Sequence, residues 1–199
     1  KADITIFPEL ALTGYPPEDL LFRQRLHDRV TSALTLICDI VADHTVLIGH
    51  PAQQDGQMYN RLSVISQHKV IAHYDKQQLP NHTVFDEKRY FTAGNSNCII
   101  TVKDYTIALL ICEDVWHEPT VAKTLQQPVD ILLSIHASPF DIDKRQRRFD
   151  MIMEYANRFS SPIAYCNLVG GQDELVFDGG SFIVNQQGEC LSEAAFAQS

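Results

Sequence analysis

The sequence predicts an α/β fold in which mixed sheets carry helices on their outer faces. Tyr105–Ile111 is a continuous apolar run of strand length, the pattern of a strand that is covered on both faces. Elsewhere, hairpin patterns such as 58–66 with 70–74 alternate irregularly with amphipathic helical patterns. This irregular order favours mixed sheets over a simple doubly wound parallel sheet.

The composition is that of a globular protein, since 45% of the 199 residues are hydrophobic and 21% are charged. This length favours one domain, residues 1–199. The net charge of −9 argues against a nucleic-acid-binding surface. No apolar run approaches the roughly 20 residues of a membrane span. The five cysteines show neither a C-x-x-C pair nor metal-ligand spacing, which predicts reduced thiols in a cytoplasmic protein.

Both ends of the chain look open. The first residue is Lys1 rather than Met, and the pattern that follows it resembles a strand already under way. Residues 194–199 end without a helix cap or a turn. We therefore expect a piece of a longer protein, with its opening strand and helix absent.

The first half is predicted to contain four strands and one long helix. A short strand, 4–7, is followed at once by Glu9 and a loop rich in glycine and proline. A proline and an acidic first turn open a helix at 17–19, and an apolar stripe continues it to Val41. The next strands are 46–49, 58–66 and 70–74, and the last of them leads to Lys76. The following residues, 77–91, are long for a loop and carry aromatic side chains, which indicates a functional segment.

The second half is predicted to begin with a hairpin, Cys98–Val102 and Tyr105–Ile111, that ends on Cys112. Helices follow at 117–127 and 143–160, and a glycine-rich loop spans 168–180 around a short strand at 175–177. Further strands are predicted at 130–135, 162–167, 181–185 and 190–192. The second helix has an apolar face and a basic face. We expect the basic face to be solvated; it comprises Lys144, Arg145, Arg147, Arg148 and Arg158.

Three chemically distinctive residues occupy the same structural position. Glu9, Lys76 and Cys112 each come at or just after the end of a predicted strand, where α/β proteins gather reactive groups. If these strand ends converge, the carboxylate can accept the thiol proton during attack on a carbonyl, and the ammonium can stabilise the oxyanion. Such a site cleaves an amide or a nitrile through a covalent acyl-enzyme and needs no metal.

Two other interpretations of Cys112 stay open. Free cysteine is among the most buried residue types, so Cys112 could be a small core residue. A Cys–His pair is the competing catalytic arrangement, with His82 or His136 as the base.

Three blocks of the sequence together resemble a known family. FPELALTGYP, KQQLPNHTVFDEKRYF and ICEDVW are similar to the three catalytic blocks of the nitrilase (carbon–nitrogen hydrolase) superfamily. GYPPEDLL, ASPF and VGGQDELVFDGGSF further resemble the glutaminase domains of glutamine-dependent NAD synthetases. The resemblance covers nearly the whole chain in ordered blocks, which makes it more specific than any single motif.

The resemblance implies a four-layer α-β-β-α sandwich with two mixed sheets, N-terminally incomplete here. It also implies a Glu-Lys-Cys triad, in which Glu9 is the base, Lys76 stabilises the oxyanion together with the backbone N–H of Glu113, and Cys112 is the nucleophile. Glu87, the second glutamate of the superfamily, would orient Lys76 or help to move protons. The implied substrate-binding residues are Tyr15, His82, Glu113, Ser138 and Lys144. Of these, Glu113 suits the α-ammonium of glutamine and Lys144 its α-carboxylate, whereas His82 stands where the family usually has Tyr.

The implied function is hydrolysis of L-glutamine through a thioester, supplying ammonia for the ATP-dependent amidation of deamido-NAD to NAD. The amidation belongs to a C-terminal synthetase domain, to which ATP, Mg²⁺ and deamido-NAD would bind. We expect that domain to lie outside residues 1–199, because these contain no SGGxDS sequence. For the glutaminase domain itself the resemblance implies no cofactor. Its implied partners are the synthetase domain and further copies of the chain, and we expect neither nucleic acid nor membrane.

Two alternative functions remain. The chain could be another amidase of the nitrilase superfamily that acts on a different small amide. It could also be an inactive module that serves as a docking and assembly surface.

Overall fold

The computed structural model describes residues 2–197, and the chain divides into two compact units, 1–98 and 99–199. Lys1, Gln198 and Ser199, which belong to the open ends of the sequence, lie outside the described residues. Each unit contains a sheet with both parallel and antiparallel pairs, so the predicted α/β class with two mixed sheets is confirmed.

The first unit is built on a four-stranded sheet of order β1-β2-β3-β4. β1 (Ile4–Ile6) pairs in parallel with β2 (Thr45–Gln54), and β2 continues into an antiparallel meander with β3 (Gln57–Ser66) and β4 (Lys69–Asp75). Helix α1 (Gln24–Ile40) packs its partly buried apolar residues against a core cluster of Val41, Val46, Ile48 and Ile65. A one-turn helix, α2 (Glu87–Tyr90), lies in the segment after β4.

Three predictions for this unit are wrong in detail. Residues 17–41 do not form one helix, because Arg23 is extended and separates a 3-10 turn, Glu18–Phe22, from α1. Ile40, which belongs to the apolar stripe predicted to continue the helix to Val41, is 76% exposed. The strand predicted at 46–49 runs to Gln54, because its second half pairs residue by residue with β3. That pairing depends on a partner strand and outweighs local propensity.

The second unit is built on a six-stranded sheet of order β12-β11-β8-β7-β6-β5. Its parallel centre comprises β6 (Tyr105–Ile111), β7 (Ile131–His136) and β8 (Ile163–Asn167). β11 (Phe182–Val184) and β12 (Cys190–Glu193) extend one side antiparallel, and β5 (Cys98–Val102) is the edge strand beside β6. The helices are α3 (Glu118–Thr124) and α4 (Lys144–Arg158). β6 is buried from Ile107 to Ile111, as its continuous apolar sequence predicts.

The glycine-rich segment after β8 is more ordered than predicted. It contains β9 (Val169–Gln172) and β10 (Leu175–Asp178), which form a separate antiparallel ladder. Gly170 and Gly171 lie in β9 opposite Phe177 and Val176. Glycine is a poor strand former, so sequence propensity alone indicates a loop here.

Aromatic rings join α4 to three strands of this sheet. The ring of His136 stacks on Tyr165 with centroids 3.6 Å apart, Tyr165 on Phe182 at 5.0 Å, and Phe182 on Phe149 of α4 at 4.0 Å. The column therefore fixes α4 against β7, β8 and β11. Across residues 2–197, none of the helices has both the length and the apolar character that crossing a bilayer requires.

Candidate active site

Glu9 is fully buried in a tight turn that follows β1. The turn lies against Gly49 of β2 so closely that a Cβ atom at residue 49 would come within 2.8 Å of the Glu9 Cα and 2.5 Å of the Leu10 nitrogen. The backbone N–H groups of Thr13 and Gly14 both donate to the carbonyl of Leu10, which closes the turn. The absence of a side chain at Gly49 thus allows the turn that carries Glu9 to pack directly against β2.

Lys76 follows directly after β4 and is only 1% exposed. Its backbone N–H donates to the carbonyl of Asn60 at 2.9 Å, and its own carbonyl accepts from the N–H of Gly94 at 2.8 Å. The Nζ atom lies 2.7 Å from Glu9 Oε1 and 2.7 Å from Glu87 Oε1. A buried ammonium needs charged partners, and Lys76 has two carboxylates within contact distance.

Glu87 is the first residue of α2 and is also buried. Its Oε1 accepts from Lys76 Nζ and from the hydroxyl of Tyr15 at 2.8 Å. Burial raises the pKa of Glu87 to about 7; Lys76 opposes this shift and Glu9 reinforces it. One ammonium is therefore shared between two buried carboxyl groups, and the pKa of one of them, Glu87, is raised towards neutrality.

Tyr15, predicted to contact substrate, has its hydroxyl hydrogen-bonded to Glu87 and packs edge-on against Phe85 at 6.3 Å. His82, also predicted at the substrate, is exposed and meets the other side of Phe85 at 5.8 Å. Tyr15, Phe85 and Glu87 line part of a cavity of about 250 Å³. The buried charged cluster therefore borders open space.

Asn60 of β3 is a member of this cluster that the sequence analysis missed. It is fully buried, and its Nδ2 donates to Glu9 Oε1 at 2.7 Å. The available signal was a polar residue at a strand position that the apolar pattern of 58–66 leaves inside the protein. Its partner lies 51 residues away along the chain, so no local sequence pattern indicates the contact.

Cys112 lies at the end of β6, where the sequence predicted it, and opens a 3-10 turn, Cys112–Trp116. Its φ of 45° is in the left-handed region, which is costly for a residue with a Cβ. Asp114 Oδ2 accepts the N–H of Ile111 at 3.2 Å and thereby closes the turn. A strained residue at a sharp strand-to-helix turn is a geometry that presents nucleophilic side chains in hydrolases.

Lys144 is the first residue of α4 and is half-buried. Burial lowers the pKa of Lys144, while the charges of Cys112 and Glu113 act on it in the opposite direction. Within this unit, Lys144 therefore lies close enough to Cys112 and Glu113 for their charges to interact. Cys112 was predicted as the nucleophile, and Glu113 and Lys144 as substrate contacts.

Ser138 is buried in the segment after β7, and its backbone is held by two side chains, those of Asn167 and Arg148. Its N–H donates to Asn167 Oδ1 at 3.0 Å, and its carbonyl accepts from Arg148 at 2.8 Å. Arg148 also donates to the carbonyl of Pro139 and, with one nitrogen, to both carboxylate oxygens of Asp178 at 2.9 and 3.0 Å. Asn167 and Asp178 were not predicted from the sequence as members of a site.

The prediction that Arg148 belongs to a solvated basic face is wrong, because this residue is 2% exposed. Arg148, Ile152, Tyr155 and Ala156 are the buried residues of α4, so Arg148 lies one turn before Ile152 on the same face. Its charge is compensated by Asp178, which is 30 residues away along the chain. The other four members of the predicted basic face are exposed or half-buried.

His136, the alternative base, is fully buried at the end of β7 with its ring stacked on Tyr165. His82 is exposed. Glu9, the base predicted for the triad, is paired with the Lys76 ammonium at 2.7 Å. In the part of the chain that the structure describes, no three His, Cys, Asp or Glu side chains cluster closely enough to hold a metal ion.

Comparison with known proteins gives a consistent set of similarities. The profile of the family described as carbon-nitrogen hydrolase matches residues 1–198. The glutamine-dependent NAD(+) synthetase of Xanthomonas campestris pv. campestris (strain 8004) is 40% identical over 197 residues, which cover 98% of this chain and 36% of the relative. The protein of the same name from Thermotoga maritima is 37% identical over 195 residues, covering 96% of this chain and 34% of the relative. The chain thus spans about a third of the length of these curated relatives.

Two solved structures are similar to this chain over nearly its whole length. The glutamine-dependent NAD+ synthetase of Acinetobacter baumannii, in complex with ADP, has a TM-score of 0.96 and 39% identity, covering 99% of this chain and 38% of that one. The NitN amidase of Nesterenkonia sp. AN1 has a TM-score of 0.85 and 25% identity, covering 97% of this chain and 75% of that one.

Proposed function

The chain belongs to the carbon-nitrogen hydrolase family, and from that premise we propose that it hydrolyses the side-chain amide of L-glutamine. In this proposal Cys112 is the nucleophile, Glu9 the general base, and Lys76 the cation that stabilises the oxyanion. Glutamine is proposed as the substrate because the curated relatives at 36–40% identity are named glutamine-dependent.

The observation that carries the proposal is the fully buried Lys76 ammonium between two carboxylates. Burying three ionisable groups is costly for stability, and well-packed apolar residues of similar volume would often be as stable or more so. Charged groups that remain buried despite this cost are typical of catalytic sites. The strained backbone of Cys112 supports the same interpretation from the second unit.

The proposed reaction proceeds in two steps. The Cys112 Sγ attacks the amide carbon while Glu9 takes the thiol proton, and the oxygen that becomes negative is stabilised by Lys76 Nζ and the N–H of Glu113. Glu9 then gives this proton to the leaving nitrogen, so that ammonia departs and a thioester remains. A water molecule attacks the thioester, with Glu9 as base, and glutamate leaves as the thiol is restored.

The remaining predicted residues have roles in holding the substrate. We propose that Glu113 pairs with its α-ammonium and Lys144 with its α-carboxylate, since both side chains carry the required charge. Ser138 contributes polar groups from a segment that Arg148 holds. Tyr15 and His82 flank Phe85 beside Glu87 and are proposed to line the substrate pocket. Glu87 orients Lys76 through the contact at 2.7 Å.

In a longer protein of the relatives' length, we propose that the ammonia amidates deamido-NAD to NAD. ATP, Mg²⁺ and deamido-NAD would bind to a synthetase domain outside these residues, while residues 1–199 form one glutaminase domain that requires no cofactor of its own. Homo-oligomerisation and a cytoplasmic location are part of the same proposal. It includes neither nucleic acid nor a membrane as a partner.

The first test is glutamate release from L-glutamine by the wild-type chain and by Cys112→Ala. Losing the nucleophile of such a triad costs at least about a thousandfold in rate. Cys166→Ala, which removes a half-buried thiol of the same unit, is the matched control and should retain activity. Residual turnover above about 1% in Cys112→Ala would show that another group attacks the amide.

A second test identifies the nucleophile chemically. Burial raises the pKa of Cys98 and of Cys166 to about 11 and also raises that of Cys38. These thiols stay protonated at neutral pH and react slowly. A diazoketone analogue of glutamine should label Cys112, because binding in the substrate pocket brings its reactive carbon to the nucleophile. Labelling of Cys166, or of the exposed Cys190, instead would contradict the assignment.

An amidase for other small amides is the second candidate, favoured by the similarity to the NitN amidase over 97% of the chain. Turnover of L-glutamine and of butyramide at equal concentrations separates the two. A preference for butyramide would replace glutamine as the substrate while leaving the triad in place.

A further inference from the structure

Asn60 is bonded to two members of the proposed catalytic cluster at once. Its side-chain Nδ2 donates to Glu9 Oε1 at 2.7 Å, and its backbone carbonyl accepts the N–H of Lys76 at 2.9 Å. The residue is fully buried in β3, between β2, which carries Gly49 against the Glu9 turn, and β4, which leads to Lys76. A single residue therefore fixes the side chain of Glu9 and the backbone of Lys76.

We propose that Asn60 is a positioning residue for amide hydrolysis, which holds Glu9 against Lys76 and keeps Glu9, rather than Glu87, as the ionised base. This inference rests on the proposed function. It adds a residue that neither the sequence pattern nor the triad includes.

The inference follows from the donors that each carboxylate receives. Glu9 Oε1 accepts from Lys76 Nζ and from the Asn60 amide, and Glu87 Oε1 accepts from Lys76 Nζ and from the Tyr15 hydroxyl. An amide N–H can only donate, whereas a hydroxyl can donate or accept. Asn60 therefore favours a carboxylate at Glu9, and Tyr15 tolerates either form of Glu87.

The second carboxyl oxygen of Glu87, Oε2, is the better site for a proton. Among the described residues 2–98, Glu87 Oε2 has no hydrogen-bond partner, so no donor opposes a proton there. Burial also raises the pKa of Glu87 to about 7. A proton held by the two carboxyl groups is thus best placed on Glu87 Oε2.

The buried side chain of Asn60 lowers the stability of the fold. Its Oδ1 is buried and has no hydrogen-bond partner within residues 2–98. Turning the amide over would place Oδ1 against Glu9 Oε1 at 2.7 Å, which two acceptors cannot tolerate. Unsatisfied buried polar atoms are rare in protein cores and are concentrated at functional sites.

The experiment compares Asn60→Leu and Asn60→Asp with wild type, using initial rates of glutamine hydrolysis over a range of pH. Asn60→Leu removes the donor at similar volume, so kcat should fall about 10- to 100-fold while KM changes less than about threefold. The acid limb of its kcat profile should move to higher pH, because Glu9 has lost a hydrogen bond that favours its charged form.

Asn60→Asp has a distinct signature. A protonated Asp at position 60 can donate to Glu9, whereas an ionised one repels it. Its kcat should therefore be closest to wild type at low pH and should decline as the pH rises. Ser63→Ala is the matched control: Ser63 lies in the same strand, is buried, and bonds to His50 at 2.7 Å rather than to the cluster. Its kcat and pH profile should match wild type.

Circular dichroism and thermal melting establish that each variant is folded. A folded Asn60→Leu with kcat within about twofold of wild type and an unshifted acid limb would overturn the inference. If both Asn60 variants fail to fold while Ser63→Ala folds, Asn60 serves the fold alone and the inference is also overturned. A wild-type chain that neither hydrolyses glutamine nor is labelled at Cys112 would instead reject the proposed function on which the inference rests.

Discussion

Arg148 and Arg158 lie on the same helix and form ion pairs of nearly equal length in different surroundings. Arg148 Nη1 is 2.9 Å from Asp178 with both side chains 3% exposed, and Arg158 Nη2 is 2.7 Å from Glu118 with side chains 50% and 49% exposed. Replacing each arginine by methionine keeps most of the side-chain volume and removes the charge. The two variants therefore compare the loss of a buried ion pair with the loss of an exposed one.

The expected magnitudes differ by several fold. Arg148→Met leaves a buried Asp178 carboxylate without its cation and removes the donors to the carbonyls of Ser138 and Pro139. Breaking a buried pair in this way costs about 3–5 kcal/mol. Arg158→Met should cost about 0.2–1 kcal/mol, because water solvates the remaining Glu118. At about 2–4 °C per kcal/mol for a chain of this size, the melting temperature should fall by roughly 6–20 °C in the first variant and less than about 4 °C in the second.

Thermal and urea unfolding, followed by circular dichroism, measure both differences. High salt should reduce the small effect of Arg158→Met and leave that of Arg148→Met largely unchanged, since buried pairs are poorly screened. Adding Asp178→Leu to Arg148→Met should recover part of the loss, because no buried charge then remains. Equal destabilisation by the two single variants would refute the conclusion that burial governs the strength of this contact.

Three other substitutions test the roles of residues in the first unit. The stability of Glu87→Gln relative to wild type should increase as the pH rises from about 4.5 to 7. Because the pKa of Glu87 is raised to about 7, this residue stabilises the wild-type fold at low pH, and the contribution is lost as the pH rises through the folded-state pKa. Urea unfolding at pH 5 and pH 8 measures this, and a difference independent of pH would contradict it. Gly49→Ala should lose about 1–3 kcal/mol and most of the activity, because the new Cβ would lie 2.5 Å from Leu10 N; a variant with wild-type rates and stability would exclude this constraint. Lys76→Ala should lower kcat at least about 100-fold with little change in KM, and an unchanged kcat would remove Lys76 from the chemistry.

The sequence predicted the strand-end positions of the three candidate catalytic residues better than it predicted their surroundings. Glu9, Lys76 and Cys112 were found because each stands where an apolar run stops, and strand ends are visible as local patterns. Asn60 and the Asp178 partner of Arg148 were missed because their contacts join residues 51 and 30 positions apart. A local pattern carries no information on such pairs.

Helical periodicity also misplaced Arg148 for a physical reason. A charged residue beside an apolar stripe is normally solvated, and only a compensating carboxylate from another element makes its burial tolerable. The extension of β2 to Gln54 has a similar origin, because it depends on pairing with β3.

The 3-10 turn that begins at Cys112 ends at Trp116, the one tryptophan in the sequence. The indole fluorescence of this chain therefore arises only a few residues from the thiol. If the proposed acylation of the Cys112 sulfur rearranges that turn, the indole emission should change, so stopped-flow spectroscopy could follow the proposed thioester without an added dye.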